Sequence, residues 1–243
     1  MTQAKKHQLS IVHLYPREMN LYGDTGNRLI IEKRLEWRGI DYSIHDISSG
    51  DTMPKKVDLI LGGGGQDASQ GIIEKDFYTR KKTMQELVDG GTAMLMICGM
   101  YQMMGRRFIT HEGIEIKGLG ILPVETVAKK GRLIGNIAVE IPGIGVIVGY
   151  ENHSGRTYLD SNAHPLGTVI RGIGNNDDAD SEGCRLRNVI GTYMHGPILA
   201  KNPELADLLI DMACKHAGIV GKLKPLDDTE EIIAREHALK RPR

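Results

Sequence analysis

The sequence predicts an α/β fold built on a central, mostly parallel sheet, and three observations carry that expectation. Short runs rich in Ile, Val and Leu recur along the 243 residues, at strand length and without polar alternation, as in strands buried on both faces. Stretches with helical periodicity and recognisable start and stop residues lie between them. In the second half the apolar runs crowd together around turn residues, which adds some antiparallel pairing.

The early strands are expected at Leu9–Leu14, Tyr42–Asp46, Val57–Leu61 and Ala93–Ile97. The later ones are expected at Ile134–Ile141, Gly145–Tyr150, Thr168–Arg171 and Val189–Tyr193. Between the first two, Asp24–Arg38 reads as a helix capped near Asp24 or Thr25 and stopped by Gly39. Another follows Asn202 and Pro203, a capping residue and a first-turn residue, and runs to about Ala217 before Gly218. An amphipathic stretch from Asp228 to Ala238 leads into the basic tail Lys240–Arg243, placed to pack on the domain or to touch a partner. With no internal repeat and no low-complexity linker, a single domain over residues 1–243 is expected, with a helical tail from about 226.

Composition narrows the function. Lys+Arg and Asp+Glu are both 31, so no global field gathers nucleic acid or an anionic membrane. Aromatic residues make up only 5%, too few for stacking platforms on single-stranded nucleic acid. No segment approaches the roughly 18 apolar residues of a membrane span, and the polar start Thr2–Gln8 lacks a signal-peptide core, so the chain reads as cytosolic. Cys98, Cys184 and Cys214 are odd in number and far apart, which argues against a disulfide framework and against zinc; no metal site is expected.

Three segments carry chemistry. In the first, the strand Ala93–Ile97 runs into Cys98-Gly99 and a helical pattern, a nucleophile elbow. Such a turn exposes the thiol at the sheet's carboxyl edge and aims a helix N-terminus at it, a setting that favours thiolate and turns the Gly99 N–H towards an oxyanion. Cys184, in a polar loop, and Cys214, within a helical pattern, have no such setting and read as inert. In the second segment, His195 follows the strand Val189–Tyr193, where an imidazole can hold the thiolate and protonate a leaving group. In the third, Gly62-Gly-Gly-Gly65-Gln66-Asp67 after a strand lets backbone approach a ligand closely. It fits neither a P-loop nor GxGxxG, so Gly64 and Gly65 are expected as oxyanion donor and substrate wall. Polar, glycine-punctuated stretches at Asn20–Asn27 and Glu151–Thr157, together with Arg132, are further candidates; by spacing alone they are capping and turn segments. The run Asn175–Glu182 lacks the EF-hand order of ligands and reads as a solvated acidic loop.

With these residues together the chain resembles the class I, triad-type glutamine amidotransferases, in the cobyric-acid-synthase-like branch, and within it the GatD-type subunits of lipid II isoglutaminyl synthase. The elements that carry the likeness are Asn20–Asn27, Gly63–Asp67, Ile97–Gln102, Glu151–Thr157 and Gly191–Pro197. The resemblance implies a three-layer, flavodoxin-like domain in which Cys98 attacks the glutamine amide, His195 serves both half-reactions and Gly65 and Gly99 hold the oxyanion. It further implies that Gln102 lines the pocket, that Arg132 holds the α-carboxylate and that Asn152 and His153 contribute to binding. Many relatives place a Glu two residues after the histidine, whereas position 197 here is Pro. The chain then works as a dyad, draws a carboxylate from elsewhere in itself, or takes one from a partner; the resemblance favours the partner, a MurT-like subunit of Mur-ligase fold. It implies weak glutaminase activity alone and stronger activity in the heterodimer. The chain has no recognisable ATP site, so ATP and magnesium are expected in that partner, which would amidate D-glutamate of lipid II. The rivals are a glutaminase domain for cobalamin or another cofactor, told apart by its partner, and a non-catalytic module of the same fold.

Overall fold

A computed structural model describes residues 8–241; residues 2–7 of the polar start and 242–243 of the basic tail lie outside the described residues. The chain forms a three-layer α/β fold. Its first sheet contains β1 (Leu9–Leu14), β2 (Tyr42–Ile47), β3 (Leu59–Gly62), β4 (Ala93–Ile97), β11 (Cys184–Leu186) and β12 (Val189–Thr192). The strands run in the order β11-β12-β4-β3-β1-β2, all parallel except β11, which pairs antiparallel with β12. β1, β3, β4 and β12 are buried along their whole length, which is why they read as unbroken apolar runs. The order steps outward from β1 in both directions, so the crevice at the strands' carboxyl ends opens beside the β1–β3 pair.

Helix α1 (Thr25–Arg38) packs against α5 (Pro203–Ala217), and α5 lies on β1, β3 and β4. Both end at a left-handed glycine, Gly39 and Gly218, as their stop residues predict. The structure adds α2 (Asp67–Thr79) and α3 (Lys81–Gly90), which are not expected from the sequence, and the helical pattern expected after the elbow forms a six-residue α4 (Gly99–Met104).

The crowded second half builds a separate six-stranded sheet around a long antiparallel hairpin of β7 (Val124–Ile141) and β8 (Gly145–Leu159). β5 (Arg107–Ile109), β6 (Glu115–Lys117), β9 (Gly167–Arg171) and β10 (Ser181–Glu182) complete it. The expected strands Ile134–Ile141 and Gly145–Tyr150 are only one end of this hairpin. Its other halves carry Arg, Lys, His and Asn, which hide the strand signal, and the register shifts between Ala128 and Leu133. The run Asn175–Glu182 is not the solvated loop expected: residues 177–180 are exposed, but Asn175, Asn176 and Glu182 are buried. Asn175 exchanges hydrogen bonds with the Gly183 backbone, and the Glu182 carboxylate accepts from Thr192 Oγ1 and the Tyr193 N–H.

The tail helix α6 (Thr229–Lys240) buries none of its residues fully. Ion pairs hold it: Arg34, 1% exposed, reaches Asp228 at its start (2.6 Å) and Asp207 on α5 (2.7 Å). Arg235 forks onto Glu204 at 2.7 and 2.9 Å, and Arg171 donates to its last carbonyls. Among the described residues no helix is long and apolar enough to cross a membrane, and no group of three or more His, Cys, Asp or Glu is placed to hold a metal ion.

Candidate active site

Four adjacent parallel strands deliver the polar residues to one edge of the first sheet. Cys98 follows β4, the loop Gly63–Gly65 follows β3, His195 follows β12 and the segment Asn20–Asp24 follows β1. Cys98 sits in a strained backbone conformation, φ 50° and ψ −104°, the sharp strand-to-helix turn of an elbow. Its amide is pinned to Thr192 O (2.8 Å), which ties the elbow to the strand that carries His195. Histidine 195 is itself held by a backbone bridge to Tyr150 of β8, with hydrogen bonds of 2.9 and 3.1 Å.

Glycines let these segments close on one another. A Cβ at Gly64 would lie 2.6 Å from His195 Cε1 and 3.1 Å from Cys98 Cβ, so the imidazole and the thiol-bearing carbon both rest against this one point of the loop. A Cβ at Gly99 would lie 3.3 Å from the Gly65 amide nitrogen, so these two glycines lie directly against one another. The Gly64 amide differs from the expectation that it faces substrate: it donates to Asp24 Oδ2 at 2.7 Å and is already engaged. Gly64 thus serves by lacking a side chain.

The carboxylate that engages Gly64 also faces His195 Nδ1, with both oxygens of Asp24 at 3.3 Å and both side chains only 2% exposed. An acid of this chain thus faces the imidazole, the arrangement expected if the chain draws a carboxylate from elsewhere in itself. Aspartate 24 stands at the N-cap of α1 but makes no capping hydrogen bond; Asn20 Oδ1 takes the Thr25 N–H instead, at 2.8 Å. Pro197 packs on the same helix turn, where a Cβ at Gly26 would meet Pro197 Cγ at 2.1 Å. Burial works to lower the basicity of His195, but the Cys98 thiolate and Asp24 outweigh it and push its pKa up to about 10. His195 therefore holds its proton at neutral pH. By contrast, burial pushes the Cys184 and Cys214 thiols up, to about 12 and about 11, in keeping with inert cysteines; Cys184 opens β11 and does not lie in the loop expected for it.

A cavity of about 270 Å³ opens over Cys98, walled by Tyr22, Gly65, Gln70, Gln102, Arg132 and His153 among others. Gln102 spends both ends of its amide inside the protein, accepting from Gln70 Nε2 (2.7 Å) and donating to Tyr193 Oη (3.1 Å). Asn152 is not among the residues lining the cavity. His153 and Ser154 of β8 reach the cavity, and Asn152 beside them does not. Its Oδ1 and carbonyl instead brace Arg132, accepting from Nε and Nη2 at 2.7 Å each, and Tyr22 Oη accepts from Nη2 at 3.2 Å. Tyr22, which the sequence reading singled out only as part of a motif, lays its ring on His195 with centroids 4.2 Å apart.

Comparison with known proteins bears on this geometry. Residues 10–203 match the model of the CobB/CobQ-like glutamine amidotransferase domain. The chain is 40% identical to the glutamine-hydrolysing GatD subunit of lipid II isoglutaminyl synthase from Staphylococcus aureus, over 95% of this chain and 94% of that one. The corresponding subunit of Streptococcus pneumoniae is 36% identical, over 96% and 90%. Among solved structures, a glutamine amidotransferase with 16% identity superposes with a TM-score of 0.59, covering 83% of this chain and 98% of that one, a likeness of fold.

Proposed function

The chain belongs to the CobB/CobQ-like glutamine amidotransferase family, and from that premise we propose that it is the glutaminase subunit of a two-subunit ligase that amidates lipid II. The observation that carries the chemistry is Cys98 on a strained elbow beside a buried His195 whose far nitrogen faces Asp24. Identity over nearly the full length of two subunits of lipid II isoglutaminyl synthase supports the physiological assignment.

In this reading the carboxamide of L-glutamine lies over Cys98 with its oxygen towards the amides of Gly65 and Gly99. The thiolate attacks the amide carbon, and the two N–H groups stabilise the oxyanion. His195, protonated and held by Asp24, gives its Nε2 proton to the leaving nitrogen; the C–N bond breaks, leaving ammonia and a glutamyl thioester. The now neutral imidazole takes a proton from water, which attacks the thioester and releases glutamate. Arg132, braced by Asn152 and Tyr22, presents its remaining N–H groups to the substrate α-carboxylate. Ammonia then passes to a MurT-like partner of Mur-ligase fold, which uses ATP and magnesium to activate the α-carboxylate of D-glutamate in lipid II and yields D-isoglutamine.

The test is ammonia release from L-glutamine by the full chain, alone and with that partner, together with amidation of lipid II by the pair. Cys98→Ala should abolish both activities, and a glutamyl adduct should be detectable on Cys98 by mass spectrometry. Ammonia release by Cys98→Ala equal to that of the unsubstituted chain would overturn the reading.

A further inference from the structure

Two buried acceptors on the cavity wall have no protein partner, and the mechanism above leaves them unused. His153 is 2% exposed, and its Nδ1 lies 2.8 Å from the Gly155 carbonyl. A carbonyl only accepts, so Nδ1 carries the hydrogen and Nε2 is left as a bare lone pair. One face of the ring is stacked on Tyr193, 3.6 Å between centroids at an interplanar angle of 6°, which fixes its orientation. Burial holds the imidazole neutral by pushing its pKa down to about 3. Its Nε2 has no hydrogen-bond partner. Nearby, Gln70 is 1% exposed; its Nε2 is committed to Gln102 Oε1, and its Oε1 is unpartnered in the same way.

A buried acceptor without a donor costs stability, so two on the wall of one cavity call for a ligand that brings hydrogens. The field around His153 selects which kind. His195 and Arg132 both bear on it as positive charges, and an ammonium group would be repelled there. A neutral N–H donor is not.

Building on the glutaminase reading, we propose that His153 Nε2 and Gln70 Oε1 each accept one hydrogen of the substrate's carboxamide NH2, and so make the site selective for an amide over a carboxylate or an ester. With both hydrogens of the nitrogen held, its lone pair in the tetrahedral intermediate is turned towards His195, the proton donor. Neither acceptor transfers a proton. They orient the leaving nitrogen while His195 protonates it and the C–N bond breaks. The product carboxylate carries no hydrogens and sets its oxygens against two lone pairs, which favours its departure.

The experiment compares an amide with an ester. His153→Asn keeps a donor at the position of Nδ1 for the Gly155 carbonyl and removes Nε2. The full chain, with its ligase partner, is given L-glutamine or the γ-methyl ester of L-glutamate, whose leaving group has no hydrogen to donate. The variant should lose about 10- to 100-fold in kcat/KM on glutamine, the size of one acceptor lost from a buried polar contact, and stay within about threefold on the ester. Gln70→Met, which is of similar size and removes the acceptor, serves as a second probe and should also reduce the amide-to-ester ratio. Equal losses on both substrates would mean a structural role for His153, and no loss on glutamine would mean no contact; either overturns the proposal. Failure of the unsubstituted chain to hydrolyse either compound would instead remove the glutaminase reading, and the proposal with it.

Discussion

Aspartate 24 offers the sharpest test of how the site is assembled. Asp24→Asn is nearly isosteric, and its Oδ1 can still accept the Gly64 N–H that Asp24 takes at 2.7 Å, so the loop should keep its place. What changes is the face towards His195. An amide NH2 opposite Nδ1 makes that nitrogen an acceptor and moves the imidazole hydrogen to Nε2 in the neutral ring, the wrong tautomer for taking a proton from the cysteine side. It also removes an opposite charge 3.3 Å from the ring, and a charge that close raises the pKa of an imidazolium by about 1–3 units. In the unsubstituted chain the net balance raises His195 to about 10, which puts the loss of its proton well above neutral pH. In the variant the alkaline limb of the ammonia-release profile should move down by about 1–3 pH units, and kcat at neutral pH should fall by about 10²- to 10⁴-fold. The assay is ammonia release from glutamine between pH 6 and 10, with the partner present, alongside a thermal melt that shows the fold retained. Activity within about threefold of the unsubstituted chain, or a loss with no movement of the alkaline limb, would refute the role of Asp24 and return the partner's carboxylates to consideration.

Gly64→Ala should cost at least about tenfold in ammonia release, because the added methyl would stand 2.6 Å from His195 Cε1, while overpacking of this kind costs about 1–3 kcal/mol of stability; Gly71→Ala, where a Cβ meets nothing within 4 Å, is the control. Arg34→Met should destabilise the chain by about 3 kcal/mol and speed amide exchange throughout α6, since it strands Asp228, leaves Asp207 to Arg38 alone and removes the main anchor of a helix with no fully buried residue; unchanged exchange in α6 would contradict this. Glu182 gives a pH-dependent stability. Burial, with Glu151 adding to it, raises its pKa to about 7 against its two hydrogen bonds. Between the ordinary carboxylate value and about 7 the folded chain keeps a proton that the unfolded chain has released, so this group's contribution falls as pH rises through that window. Glu182→Gln should therefore flatten the slope and be about 1–3 kcal/mol more stable than the parent at pH 8 by denaturant unfolding; a less stable variant at that pH would show that the carboxylate is held charged.

The parallel sheet was legible because burial on both faces writes itself as uninterrupted apolar runs. Leu9–Leu14 and Ala93–Ile97 come out of the sequence with the bounds the structure gives them. The β7–β8 hairpin was legible only at its closed end. Towards the site its strands must carry Arg132, Asn152 and His153 for the cavity and its braces, and function there overrides the alternation that marks a strand. The short β5, β6, β10 and β11 have two or three residues each, too few for any periodicity. Helix α2 begins directly after the glycine loop, where Gly71 and two further polar turns dilute its apolar stripe.

The site shows a different limit. Cys98 and His195 were readable because each follows a strand, and strand ends are easy to place. Asp24 lies in the polar, glycine-punctuated stretch Asn20–Asn27, but it stands where an aspartate ordinarily caps a helix, and capping explains it fully in one dimension. Only the fold shows the cap passed to Asn20 and the Asp24 carboxylate turned towards Gly64 and His195. Pro197 belongs to the same exchange. A residue two places after His195 is drawn onto α1 at Gly26, next to the acid that faces the imidazole from the opposite side. A missing carboxylate at position 197 therefore says nothing about a missing carboxylate in the site, since β1 and β12 come within reach of one another only when β3 and β4 are laid between them.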